Sequence, residues 1–117
     1  MRECQGETEG GSVGKLIYNS ATVIDFDDRV LAHLEVVITA KLRRGEAFLM
    51  SWRDVKETGD GRTSVWLHPS IPLMYKYHGS RPPSINRAWI EVLSHAANTA
   101  GGLKLLPEPA ETTGNAR

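Results

Sequence analysis

Gly10-Gly11-Ser12-Val13-Gly14-Lys15 carries the glycines and the lysine of a loop that wraps nucleotide phosphates. Such a loop works because backbone amides and an ammonium group converge on the anion at a helix start. Here the pattern breaks at three points. Glu9 stands where the first glycine belongs, Leu16 follows the lysine instead of Ser or Thr, and Lys15 opens a strand pattern rather than a helix. His33, His68, His78 and His95 have no ligand-like spacing, and Cys4 is the lone cysteine. A zinc site needs three or four convergent ligands, so none is expected. His33 and His95 fall in helical patterns and are expected on the solvent side. His68 and Ser70 lie two apart beside prolines, without the orienting acid and oxyanion hole that a hydrolase needs. Asp25, Asp27 and Asp28 form an acidic cluster that suits Mg²⁺ or, more simply, the free amides of a helix start. The sequence therefore predicts no catalytic residue, no metal centre and no cofactor.

One constellation is better placed for binding. Ala47–Arg53, Thr63–His68 and Leu73–Tyr77 have the length and composition of strands, along which side chains alternate between faces. If Phe48, Met50, Trp52, Val65, Leu67, Leu73, Tyr75 and Tyr77 face the helices, the other face carries Arg53, Trp66, His68, Lys76 and His78. Leu49, Ser51, Ser64 and Met74 share that face. Basic and aromatic groups on an open sheet can stack bases and hold phosphates. The same face, with Leu49, Trp66 and Met74 exposed, also suits a homodimer or another protein.

The elements that must position these residues are legible in outline. Lys15–Tyr18 and Thr22–Phe26 are β-rich and separated by Asn19-Ser20, which predicts a hairpin. Asp27 or Asp28 caps a helix whose apolar stripe includes Leu31, Leu34 and Ile38, with Lys41, Arg43 and Arg44 near its end and Gly45 as the stop. Glu57–Arg62 reads as a loop because of Gly59 and Gly61, and Pro69-Ser70-Ile71-Pro72 as a rigid turn. Ser84 is expected to cap a second helix striped by Ile85, Ala88, Trp89, Val92, Leu93, Ala96 and Ala97. Leu103–Leu106 offers a last short strand. The order β-β-α-β-β-β-α-(β) predicts a two-layer α+β fold, with about five antiparallel strands in one sheet and two helices on one face. Residues 15–106 form the expected single domain, between disordered stretches at 1–14 and 107–117.

Bulk composition narrows the function further. At 117 residues and 12.9 kDa, with 40% hydrophobic content, the chain has room for one modest core and no two-domain cleft. Lys and Arg total 14 and so do Asp and Glu, which argues against a polybasic DNA binder. Residues 1–14 have a net charge of −2 and 107–117 of −1, leaving 15–106 at +3, a mild bias toward anionic partners. The single cysteine and the absence of an apolar stretch in Met1–Gly14 point to the cytoplasm, without membrane attachment.

Val13–Tyr18, Asp28–Leu34, Trp66–Leu73, Gly79–Arg81 and Asn86–Trp89 together resemble a family of small actinobacterial proteins of unknown function. Its members commonly carry the label ATP-dependent DNA ligase. The likeness runs from Gly14 to about Pro109. It implies that Val13 is the natural start and residues 1–12 an extension, and it carries no catalytic residues to transfer. Ligases of that kind resemble one another through Lys-x-Asp-Gly. Here the Asp-Gly is Asp60-Gly61, Thr58 holds the lysine position, and Lys56 is out of register. The leading expectation is thus a non-enzymatic, self-associating binding or adaptor module. A nucleic-acid-binding module on the open sheet face is the alternative, and a ligase-related enzyme the third.

Overall fold

The computed structural model describes residues 13–56 and 59–110. Cys4 and Gly10-Gly11-Ser12 lie outside them, as does most of the disorder expected at 1–14 and 107–117; of those stretches, Val13 and Gly14 are described as strand, and 107–110 are described too. The elements are β1 (Val13–Tyr18), β2 (Thr22–Asp27), α1 (Asp28–Arg43), β3 (Phe48–Lys56), β4 (Gly59–Leu67), β5 (Leu73–Lys76), α2 (Arg87–Ala97) and β6 (Leu103–Lys104). The protein is α+β, in the order the sequence predicts.

The strands do not form one five-stranded sheet. They form two sheets of three, ordered β2-β1-β5 and β4-β3-β6. Strand β5 lies antiparallel to β1, with Lys15 opposite Lys76 and Ile17 opposite Met74, instead of beside β4. The cause is the segment between β4 and β5. Pro69 and Pro72 lack N–H donors and fix φ, so this stretch cannot fold back as a tight hairpin. Instead the Pro72 carbonyl accepts from Asn19 N–H at 2.9 Å, which ties the start of β5 to the β1–β2 turn. Strand β6 runs parallel to β3, with Met50 opposite Leu103 and Ser51 opposite Lys104.

Two compact units result, one taking the chain through Val36 with Ser70–Ile85, the other taking Val37–Pro69 and the chain from Asn86 onward. In the first, β1 buries Gly14 and Leu16 and exposes Val13 and Lys15. Asn19 and Ser20 turn the hairpin at φ 55° and 62°, a left-handed pair that Asn tolerates better than most residues. Phe26, Leu31 and Leu34 complete this unit's buried apolar set. His33 is fully buried rather than solvent-facing. It lies four residues before Val37 and eight before Lys41, a helical row whose members are all buried and which widens the stripe read from sequence. Its Nδ1–H donates to the Arg29 carbonyl at 2.7 Å. His95, on α2, is exposed as expected.

In the second unit β3 buries Phe48, Met50 and Trp52, and β4 buries Leu67. The strand faces thus match the alternation read from sequence. Helix α2 starts at Arg87, and its cap is Asn86, not Ser84. Asn86 Oδ1 accepts from Ala88 N–H at 3.0 Å and Trp89 N–H at 3.4 Å. The Ser84 carbonyl is engaged elsewhere, by Arg29 Nη1 at 2.8 Å. Trp89, Leu93 and Ala97 form the buried row of α2. Gly102, at φ 83°, passes so close to the Leu49 carbonyl that a Cβ would overlap it.

The end of α1 holds a buried cation. Lys41 Nζ donates to Asn98 Oδ1 at 2.8 Å, pairs with Glu46 at 2.8 Å and sits 5.4 Å from the Phe48 ring centre. Hydrogen bonds from Arg44 and Lys41 hold the Glu46 carboxyl down at about 2, from an ordinary 4.5. A carboxylate depressed by folding stabilises fully above its unfolded value, and that contribution is lost as pH falls toward the folded value. Acid titration between pH 4.5 and 2 should therefore destabilise the native chain more steeply than Glu46→Gln. Equal slopes in urea melts across that window would show the pair to be inert.

Candidate nucleic-acid interface

Strands β3 and β4 pair antiparallel with Leu49 opposite Trp66, Ser51 opposite Ser64 and Arg53 opposite Arg62. With Phe48, Met50, Trp52 and Leu67 buried, these three pairs point the other way. Trp66 is 53% exposed and Leu49 37%. Arg53, Arg62 and Ser64 are exposed, and β6 adds exposed Lys104 beside Ser51. The outward face of β4-β3-β6 is therefore graded. An apolar, aromatic row gives way to a row of hydroxyls with one ammonium group, then to two guanidinium groups. No acid stands among the described side chains of these rows.

Residues 13–108 match the family described as Domain of unknown function (DUF7882). The chain belongs to this family. No curated protein and no solved structure matches it. In this member of the family, no helix among the described residues is long and apolar enough to cross a membrane. Nor do any three His, Cys, Asp or Glu among those residues converge as a metal site would require.

Of the face residues read from sequence, Arg53, Trp66 and His68 come together on this sheet. His68 follows β4 in the same alternation and is exposed. Lys76 and His78 do not join them. Lys76 is exposed on β5 in the other sheet, and His78 follows it there, with its backbone N–H donating to Asp28 Oδ1 at 3.1 Å. Arg62 and Lys104 take their place. Arg62 was hidden because the neighbouring glycines read as loop, whereas the β3–β4 ladder continues to Gly59.

The acidic cluster is structural in detail. Asp25 pairs with Lys15 at 2.8 Å, and Asp27 caps α1 by accepting from Arg29 N–H at 2.9 Å. Asp28 is buried and uses both oxygens to hold the segment after β5, accepting from His78 N–H and, at 2.9 Å, from Gly79 N–H. Gly14 makes room for it, since a Cβ there would lie 2.6 Å from Asp28 Oδ1 and 2.7 Å from the Lys76 carbonyl oxygen. Beside this brace a cleft of about 300 Å³ is lined by Ala32, Glu35, Tyr77, Pro82 and Ile85, among others. Tyr77 O–H donates to Glu35. Burial first, then that bond, raises the phenol well above its ordinary value, so it stays neutral through the physiological range.

Proposed function

We propose that the protein is a non-enzymatic cytoplasmic binding module that holds single-stranded nucleic acid on the outward face of β4-β3-β6. The observation that carries this reading is the graded face itself, with one exposed tryptophan beside Arg53, Arg62 and Lys104. An indole stacks on any base, and cations that track the backbone supply affinity without sequence preference. Single strands fit better than duplex, because a stacking surface needs bases that are already free of partners. The same charges disfavour self-association through this face. A two-fold axis parallel to the strands and midway between β3 and β4 would set Arg53 of one copy on Arg62 of the next.

Fluorescence anisotropy with labelled single-stranded DNA and RNA at low salt tests the reading. With three cations on phosphates, log affinity should fall against log salt with a slope of about −2, at roughly 0.7 per phosphate. Trp66→Ala should weaken binding by about 1–3 kcal/mol. Arg62→Ala should weaken it and flatten the slope by about 0.7. No binding at low salt, or binding indifferent to both changes, overturns the proposal. The ligase label belongs to a different class and makes a different prediction, namely labelled adenylate appearing on the protein from ATP and vanishing in Lys56→Ala.

A further inference from the structure

The outward face of the other sheet has a different chemistry, and it is ordered in rows. With Gly14 and Leu16 buried, β1 turns Val13, Lys15 and Ile17 outward. Register then aligns Val23, Ile17 and Met74 in one row across all three strands, and Asp25, Lys15 and Lys76 in the next. Val23 is 53% exposed and Met74 55%. The charged row is asymmetric, with its acid on β2 at one edge and a lysine on β5 at the other.

We propose that this face pairs with a second copy of itself about a two-fold axis parallel to β1. Such an axis exchanges the two edges of the sheet while keeping each row facing the same row. Asp25 then faces the partner's Lys76, and the reverse contact forms at the other end. Met74 meets the partner's Val23, and Ile17 meets its equivalent, so the apolar row is covered by an apolar row. Lys15 meets its equivalent at the centre, where each is already paired with its own Asp25 at 2.8 Å. An axis running along the charged row instead would set Asp25 on Asp25 and lysine on lysine. Charge thus selects one orientation, and the exposed apolar row supplies the area. Face-to-face sheets packed in this way lie about 10 Å apart with strands nearly aligned.

The experiment is sedimentation of the full chain over a concentration series, with charge exchanges. The native chain should dimerise as concentration rises toward about 1 mM, a level that still detects weak association. Asp25→Lys and Lys76→Asp, each alone, should shift the equilibrium to monomer by at least tenfold, because like charges then face one another. Mixed together, the two variants should form a heterodimer, since the lysines of one face the aspartates of the other. Rescue in the mixture also shows that both variants are folded. A native chain that stays monomeric throughout overturns the proposal. So does a dimer that survives both single exchanges, which would use another surface, and so does a mixture that fails to pair. None of these outcomes bears on nucleic-acid binding, which uses the other sheet.

Discussion

Replacing Trp89 by alanine is expected to cost about 3–5 kcal/mol, read as a shift in the urea midpoint at unchanged slope. The ring is 3% exposed and heads the buried row that continues through Leu93 and Ala97. Its removal leaves a cavity that α2 cannot collapse into without giving up that row. A second loss adds to the first. Trp89 Nε1–H donates to the Leu106 carbonyl at 2.9 Å, so the segment after β6 also loses its tether. Trp89→Phe should recover most of the packing and none of the hydrogen bond, and fall between. Trp66→Ala, at a position 53% exposed, should cost far less. Comparable costs at the two tryptophans would mean that the buried and open faces of this sheet have been assigned the wrong way round.

The second large effect is at Asn86, which is 1% exposed and works in two directions. Its oxygen caps α2, while its amide donates to Glu108 Oε2 and to the Pro109 carbonyl, both at 2.9 Å. Asn86→Ala removes the cap and strips partners from both acceptors, a combined cost of about 2–4 kcal/mol. Asn86→Asp separates the two roles. It keeps the acceptor for Ala88 and Trp89, but it has no donor at neutral pH and sets a second carboxylate against Glu108. The aspartate variant should therefore regain stability on acidification, as protonation restores a donor and removes the repulsion. Equal deficits for both variants at every pH would show that capping alone matters.

The parts of the fold that were legible in the sequence are those governed by local periodicity. Phe48, Met50 and Trp52 alternate with Leu49, Ser51 and Arg53, and a period of two needs no knowledge of the neighbouring strand. Strand partnership is not local. That β5 would join β1 and β6 would join β3 depends on what the Pro69–Pro72 segment forbids and on what Gly102 allows near Leu49. The candidate face inherits this division. Arg53, Trp66 and His68 were found because β3 and β4 are neighbours in sequence. Lys76 and His78 were assigned to them because alternation gives a residue's side of a sheet without saying which sheet. Ser84 reads as the cap because Ser and Asn both serve that position and two residues separate 84 from 86. What decides is the burial of Asn86 and the four groups its side chain satisfies, which no local pattern reveals.

The brace between Asp28 and the segment after β5 has a consequence for how this chain can vary. Position 14 cannot grow unless position 28 shrinks, and even then the Lys76 carbonyl stands in the way. The obstacle at 76 is main chain, so no exchange of that residue removes it, and the path of β5 alone holds position 14 to glycine.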